Sequence, residues 1–181
     1  MGVPRLYPYI NSHFPTAVRN FRRGDYTQTV DYVYLDANGP LHEAAQYIEN
    51  YGQNKRLIDR YSHLSEDVRQ KMIFSRFFDN IRRITQVIKP RKVLYIAIDG
   101  PAPLVKQGQQ RQRRFTAARD RVPGGFDSNT ITPGTVFMSN MTNYLNYAIR
   151  KEMNTSSSWR DIQVYFSPPT VASEGEHKVL D

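Results

Sequence analysis

The sequence contains no cysteine, and this absence removes several classes of protein at once. Disulfide-stapled folds, cysteine-bound zinc and iron–sulfur clusters are excluded, whereas a reducing compartment is compatible. No apolar run approaches the roughly 20 residues that span a membrane. The opening residues, MGVPRLYPYI, also lack the apolar segment of a signal peptide. We therefore expect a soluble, intracellular protein, cytoplasmic in the first instance and nuclear in the alternative.

Acidic residues are few relative to basic ones. The 17 aspartates and glutamates face 25 lysines and arginines, which leaves a net charge of +8 and a pI near 9.8. Such a balance favours an acidic partner, either a nucleic acid or an anionic membrane surface, although it also serves solubility alone. The basic run RNFRRG at residues 19–24 carries two similar interpretations, a phosphate-contacting loop or a solubilising segment.

The hydrophobic pattern predicts one α/β domain with a parallel sheet. Hydrophobic residues make up only 39% of the chain, but 12 tyrosines and 9 phenylalanines supply bulky material for a core. Short apolar runs alternate with segments that repeat at helical spacing, which is typical of a parallel sheet flanked by helices. The expected strands are 31–36, 92–99 and 161–166, and the expected helices begin near residues 40, 65, 103, 132 and 174.

The same pattern makes more local predictions. The continuous apolar run at 92–99 is typical of a strand that is covered on both faces. Thr132 and Pro133 are expected to open a helix, and residues 154–158, NTSSS, are expected to form a linker. The side chains expected to pack against the core are Phe77, Phe78, Ile81, Leu104, Phe115, Tyr144, Tyr147 and Trp159.

Carboxylates follow all three predicted strands. Asp36 ends the first, Asp99 ends the second, and Glu174 and Glu176 come after the third. In open parallel sheets ligands bind beyond the carboxyl ends of the strands, so we expect these acids to lie near one another. Oxygen ligands of this kind suit Mg²⁺ or Mn²⁺, and clustered carboxylates repel unless a cation neutralises them. One aspartate after a strand is ordinarily a turn former or helix cap, but three strands that end alike favour a metal site.

Two other catalytic patterns are missing. The histidines at 42, 63 and 177 do not have the H-x-x-x-H spacing of a zinc peptidase, and no glycine-rich P-loop pattern occurs. The sequence therefore supports neither a zinc peptidase nor a P-loop ATPase. His13 and His63 are expected at the surface or in loops.

A basic helix is predicted directly after Asp99. From a start near Pro103, the helical period places four polar side chains on one face about 100° wide. These are Lys106, Gln110, Arg113 and Arg114. A basic face beside a metal-binding carboxylate suits a phosphodiester with a charged end. A solvated basic face is the alternative.

Four blocks of sequence now combine into one resemblance. They are VYLDANGPLH, LYIAIDGPAPLVKQGQQRQRRF, FDSNTITPGTVFM and SEGEHKVLD, in this order, after the opening MGVPRLYPYI. Together they resemble the N-terminal part of the Xrn family of 5′→3′ exoribonucleases, relatives of flap endonucleases and other PIN-like nucleases. The resemblance covers essentially all 181 residues and implies a PIN-like α/β nuclease fold that is incomplete at its C-terminus. It also implies processive hydrolysis of RNA from a 5′-monophosphate end, which releases nucleoside 5′-monophosphates and needs Mg²⁺ or Mn²⁺.

The resemblance implies a role for each candidate residue. Two metal ions would activate a water and stabilise the departing oxygen. The residues that match catalytic, metal-ligating acids are Asp36, Asp99, Glu174 and Glu176. Those that match a pocket for the 5′-phosphate are Lys106, Gln110, Arg113 and Arg114, while His42 matches a histidine that packs against the terminal base. The implied partner is RNA with a 5′-monophosphate end, and no membrane partner is implied.

Some positions depart from the family pattern. Ser173 stands where glycine is usual, Pro101 where valine is usual and Pro40 where an aliphatic residue is usual, so the loops beside the acids are expected to differ. The family also has an Asp-x-Asp motif on the next strand and a further aspartate, neither of which occurs here. We therefore expect residues 1–181 to be a truncated N-terminal segment of a 5′→3′ exoribonuclease catalytic domain.

Two alternatives stay open at this point. A catalytically inactive module that binds RNA 5′ ends would keep the basic pocket without a complete metal site. A flap-endonuclease-like DNA nuclease would share the acids, but the run QGQQRQRRF favours the exoribonuclease branch because it supplies a compact pocket for a terminal phosphate.

Overall fold

A three-stranded parallel sheet is the centre of the fold. The computed structural model describes residues 5–18 and 30–180, and the basic run at 19–24 lies outside them. The strands, in spatial order, are β1 (Tyr32–Asp36), β2 (Val93–Ala97) and β3 (Gln163–Ser167). The helices are α1 (Leu6–His13), α2 (Asn38–Ile48), α3 (Glu66–Ile88), α4 (Leu104–Arg119), α5 (Val136–Thr155), α6 (Ser157–Arg160) and α7 (Gly175–Leu180). The predicted α/β class, with helices flanking a parallel sheet, is confirmed.

The register of the sheet separates a buried face from a partly exposed one. The buried face consists of two cross-strand rows, Val33 with Leu94 and Val164, and Leu35 with Ile96 and Phe166. These rows belong to one hydrophobic core together with buried residues of α2, α3 and α5. Because side chains alternate along a strand, the residues between them point to the opposite face.

The opposite face of the sheet carries tyrosines. Tyr34, Tyr95 and Tyr165 are partners across the three strands, and the ring centroids of Tyr34 and Tyr95 lie 5.8 Å apart. Tyr34 and Tyr165 remain 50% and 51% exposed. The prediction that β2 would be covered on both faces is therefore met on one face only, within the residues that the structure describes.

Helix α3 follows its sequence signals closely. Ser65 caps it by accepting a hydrogen bond from the amide of Val68 at 3.4 Å, and the acidic residues 66 and 67 lie at the positive end of the helix dipole. Its core residues Phe77, Phe78 and Ile81 are buried, as predicted. No helix among residues 5–18 and 30–180 is both long enough and apolar enough to cross a membrane.

Helix α4 does not pack as predicted. None of its residues is buried, and Leu104 and Phe115 are 83% and 65% exposed. The reason is visible in its sequence, because the large apolar residues stand at its two ends and do not form the continuous stripe that a packed helix needs. The core prediction for these two side chains is wrong, and α4 is a solvent-facing helix.

The region around α5 differs from the prediction in three respects. The helix starts after Thr135, whose hydroxyl accepts a hydrogen bond from the amide of Met138. It does not start at Thr132, because Gly134 has a φ of +91° and ends the preceding turn. Residues 154–158 are not a linker, since α5 extends to residue 155 and α6 begins at 157. Tyr147 is 65% exposed instead of buried.

Two other side chains assigned to the core behave as expected. Trp159 is buried and donates its indole N–H to the hydroxyl of Thr85 at 3.2 Å. Tyr144 is half-buried and packs on Phe74, with 5.9 Å between the ring centroids. His13 and His63 are exposed, also as predicted.

The contrast between α3 and α4 can be tested by two matched substitutions. Phe77→Ala should lower the free energy of unfolding by about 3–5 kcal/mol, because it opens a cavity in the core. Phe115→Ala should change it by less than about 0.5 kcal/mol, because the ring contributes little buried surface. Chemical denaturation followed by circular dichroism measures both, and a comparable loss for the two variants would contradict the exposed position of α4.

Candidate nuclease site

The carboxyl ends of β1 and β2 bring Asp36 and Asp99 close to Gly175. The amide of Gly175 donates a hydrogen bond to Oδ1 of Asp99 at 2.6 Å. A Cβ atom at position 175 would lie 2.5 Å from Oδ1 of Asp36 and 3.2 Å from Oδ1 of Asp99. A side chain at position 175 would therefore displace the carboxylate of Asp36 from its observed position.

The two carboxylates affect each other electrostatically. The pKa of Asp36 is raised, first because the carboxyl is partly desolvated and second because Asp99 lies close by. Glu176 raises it further, while the amide of Asn38, 3.4 Å from Oδ1 of Asp36, acts in the opposite direction. The ionised carboxylate of Asp36 is therefore disfavoured, and protonation or a neighbouring cation would relieve the cost.

A set of backbone contacts holds the segment that follows β2. The amide of Asp99 donates to Oδ1 of Asn38 at 3.1 Å, and the amide of Gly100 donates to the carbonyl of Ser173 at 2.8 Å. A Cβ atom at position 100 would lie 1.7 Å from the carbonyl oxygen of Val171, so this close approach requires glycine. Asp99 is thus fixed between the start of α2 and the loop before α7.

Ser173 adopts a backbone conformation that favours glycine. Its φ is +93°, and its amide donates to the carbonyl of Pro101 at 3.1 Å. Two of the positions that depart from the family pattern therefore contact each other directly. Ser173 is therefore a strained residue in the loop before α7.

The acid after β3 contacts the basic helix. Glu174 is 2% exposed, and its Oε2 forms an ion pair with Nζ of Lys106. Its Oε1 accepts a hydrogen bond from Nε2 of Gln110 at 3.4 Å. The sequence assigned Lys106 and Gln110 to the phosphate pocket and Glu174 to the metal, and the structure brings the two sets into contact.

One cleft collects most of the remaining candidate residues. It has a volume of about 240 Å³ and lies between the end of β2, α4 and the loop at 128–133. The candidates that line it are His42, Asp99, Gln110, Arg113 and Arg114. Two guanidinium groups therefore share a small cavity with one carboxylate, which is an arrangement suited to an anionic ligand with a cation beside it.

His42 lies at the acidic side of this cleft. It is half-buried, and burial lowers its pKa even though the charge of Asp99 acts in the opposite direction. A lowered pKa keeps the imidazole neutral near pH 7, so its ring presents a flat, uncharged surface to the cavity.

The oxygen donors at the strand ends are few. Among residues 5–18 and 30–180, no group of three or more acidic, histidine or cysteine side chains is arranged to hold a metal ion. Asp36 and Asp99 nevertheless form a pair of oxygen donors whose mutual repulsion a cation would relieve. This fits Mg²⁺, which is commonly held by one or two carboxylates, several waters and substrate phosphates.

Three residues near the acids were not identified from the sequence. Asn38 was interpreted only as part of a turn, Gly175 only as part of a motif, and Lys178 had no assigned role. Lys178 is 8% exposed, and burial lowers its pKa while Asp99 opposes the shift. No sequence signal pointed to Lys178, because its partners depend on how α7 approaches the strand ends.

Comparisons with known proteins agree on one family. A family model described as the N-terminus of XRN 5′–3′ exonucleases matches residues 1–124 and 122–181. The chain is 35% identical to 5′–3′ exoribonuclease 1 of Saccharomyces cerevisiae, and 32% identical both to 5′–3′ exoribonuclease 1 of Homo sapiens and to the 5′–3′ exoribonuclease 2 homolog of Caenorhabditis elegans. Each match covers 100% of this chain but only 12%, 11% and 22% of the respective relative.

The strain at residue 173 predicts a stabilising substitution. Ser173→Gly should raise the free energy of unfolding by about 1 kcal/mol, because glycine adopts a φ near +93° without steric cost. Ser156→Gly is the comparison, since Ser156 has a φ of −103°, so glycine there relieves no strain, adds chain entropy to the unfolded state and removes the hydroxyl contact with Ser158. Urea denaturation measures both variants, and a Ser173→Gly variant as destabilised as the control would contradict the strain.

The repulsion between the two carboxylates predicts a pH dependence. The pKa of Asp36 is higher in the folded protein than in the unfolded chain. Its contribution to stability is therefore fully present below the pKa of the unfolded chain and is lost as the pH rises through the pKa of the folded protein. In a chelating buffer, Asp36→Asn should therefore stabilise the protein at pH 7, and the gain should shrink as the pH falls toward 3. Thermal unfolding from pH 3 to pH 8 measures the gain, and Asp161→Asn, which removes an exposed carboxylate elsewhere, controls for net charge. A gain that does not depend on pH would contradict this account.

Proposed function

This chain belongs to the XRN 5′–3′ exonuclease family, and we propose that it is the N-terminal catalytic segment of a 5′→3′ exoribonuclease that binds RNA by its 5′-monophosphate end. The resemblance seen in the sequence is confirmed by the family match over the whole chain. The relatives named 5′–3′ exoribonuclease are several times longer than this chain, so the activity, the substrate and the metal are assigned to it here as proposals.

The observation that carries the proposal is the shared cleft of Asp99, Arg113 and Arg114. The fold brings the acid that follows β2 and two guanidinium groups of α4 into a cavity of about 240 Å³. A cavity of this size suits a terminal nucleotide better than a continuous duplex. Recognition of a terminal phosphate would explain why hydrolysis starts at the 5′ end.

The residues of the cleft have distinct roles in this proposal. Arg113 and Arg114 bind the terminal phosphate through charge-assisted hydrogen bonds, and Gln110 adds a neutral donor beside them. His42, kept neutral by burial, packs against the first base. The first phosphodiester then lies on the side of the cleft where β2 delivers Asp99.

Asp36 and Asp99 are proposed to hold Mg²⁺ or Mn²⁺. A divalent ion at this position supplies Lewis-acid stabilisation of phosphate oxygens and lowers the pKa of water. Two hydrogen bonds keep Asp99 in place. The amide of Gly175 donates to its carboxylate, and its own backbone amide donates to Oδ1 of Asn38. Glu174 and Glu176, at the start of α7, are the acids that would complete the set.

A second function is favoured by the ion pair between Glu174 and Lys106. Both oxygens of Glu174 have partners on α4, and the described residues contain no preformed group of three or more metal ligands. A chain in which this contact persists would bind a 5′-phosphorylated end without cleaving it. The same cleft therefore serves either a nuclease or a module that captures RNA 5′ ends.

A degradation time course separates the two functions. The 181-residue chain is incubated in Mg²⁺ or Mn²⁺ with two RNAs that carry a 3′ label, one with a 5′-monophosphate and one with a 5′-hydroxyl. Rapid loss of the monophosphate RNA is the expected result for the nuclease. No loss, combined with tighter binding of the monophosphate RNA, identifies the binding module. Equal treatment of the two RNAs would contradict both functions.

Variants in the same experiment assign the residues. Asp99→Ala should abolish cleavage while RNA binding is retained, because it removes a metal ligand and leaves the arginines in place. The double variant Arg113→Ala with Arg114→Ala should erase the preference for the monophosphate end. Arg150→Ala with Arg160→Ala, which removes two exposed arginines from α5 and α6, is the matched control for net charge.

A further inference from the structure

Lys178 is a buried lysine whose ammonium group has specific partners. Its side chain lies in α7 with 8% of the residue exposed. Nζ donates hydrogen bonds to the carbonyl oxygen of Ile98 at 2.8 Å and to that of Pro168 at 3.0 Å. Burying an ammonium group is costly unless hydrogen bonds compensate, so these two carbonyls are the reason that the position tolerates a lysine.

The two acceptors lie at the carboxyl ends of neighbouring strands. Ile98 follows the last residue of β2 and immediately precedes Asp99, while Pro168 follows the last residue of β3. The sheet itself reaches this level, because the amide of Ile98 donates to the carbonyl of Ser167 at 3.0 Å. Lys178 therefore ties both strand ends to α7.

Helix α7 contacts Asp99 from two directions. At its start, the amide of Gly175 donates to the carboxylate of Asp99. One turn later, Lys178 binds the carbonyl of the preceding residue, Ile98. The peptide and the side chain of Asp99 are thus both held by the same short helix, which also carries Glu176.

We infer that Lys178 is a positioning residue that fixes Asp99 relative to Glu174 and Glu176 by joining the ends of β2 and β3 to α7. The inference rests on the proposed function, because it assigns to Lys178 the geometry of the proposed metal ligands. Both hydrogen bonds of Nζ go to backbone carbonyls, so Lys178 acts through the backbone that carries the ligand. Supporting residues of this kind commonly change metal affinity by about 10–100-fold when they are removed.

A purely electrostatic role would have the opposite sign. An ammonium group near Asp99 repels a divalent cation, so its removal would strengthen metal binding if charge were its main contribution. A positioning role requires that removal weakens binding, because the ligands lose their fixed separation. The sign of the change therefore distinguishes the two roles.

The test compares Lys178→Met with Lys151→Met in the 181-residue chain. Lys151 is exposed on α5, so its substitution removes the same charge without touching the sheet. Mn²⁺ binding is measured by isothermal titration calorimetry, and thermal unfolding confirms that both variants are folded. We expect Lys178→Met to bind Mn²⁺ at least about tenfold more weakly than the parent and the control. Unchanged or tighter binding would overturn the inference.

Lys178→Arg provides a second comparison, since the loss of a buried lysine can prevent folding. Arginine keeps donors for both carbonyls, so Mn²⁺ affinity should stay within about threefold of the parent, less than 1 kcal/mol. A folded arginine variant that loses as much affinity as the methionine variant would show that the hydrogen bonds to the strand ends are not what matters.

A readout without metal separates this inference from the proposed function. Amide hydrogen exchange at Gly175 and Asp99 should accelerate at least about tenfold in Lys178→Met, while exchange in α3 should stay unchanged. If the parent binds no Mn²⁺, the proposed nuclease function fails and the exchange rates still decide whether Lys178 holds the strand ends. If the parent binds Mn²⁺ and Lys178→Met binds it equally well, only the positioning role fails.

Discussion

The close approach of Gly175 to Asp36 and Asp99 is the constraint on which the candidate site depends. The backbone of α7 can lie against the ends of β1 and β2 only because position 175 has no side chain, and its amide then fixes Asp99. The same approach brings the residues next to Gly175 to the carboxyl edge of the sheet. A methyl group at this position would displace the carboxylate of Asp36, so the observed arrangement of Asp36 and Asp99 depends on this glycine.

A second consequence concerns the basic helix. Since α7 is held against the sheet, Glu174 at its start reaches Lys106 and Gln110 on α4. The side chains that we propose to bind phosphate and the acids are therefore not two independent sets but one connected group. Binding of the proposed metal and binding of the proposed phosphate would then influence each other, because each would require Glu174 or Lys106 to exchange its partner.

The sequence predicted the elements that local interactions specify. Its predictions were wrong where the outcome depends on contacts with other elements of the fold. The cap at Ser65 and the apolar repeat through Phe77 and Ile81 specify α3 without reference to the rest of the chain. The exposure of Phe115 was not predicted, because a helical spacing shows which side chains share a face but not whether another element covers it. The predicted start of α5 at Thr132 was wrong for a similar reason. Gly134 has a positive φ, which ends the preceding turn, and the neighbouring residues do not indicate this conformation.

What the sequence determined by itself is the set of candidate residues, the family and the α/β class, because strand ends, helical spacing and ordered motifs are all readable along one dimension. Only the tertiary structure decided how those residues meet: that Glu174 pairs with Lys106, that Ser173 is strained, and that Lys178 binds the ends of β2 and β3. These contacts join residues from different elements at distances set by backbone approach. Such distances depend on the packing of α7 against the sheet, and no spacing within the sequence encodes them.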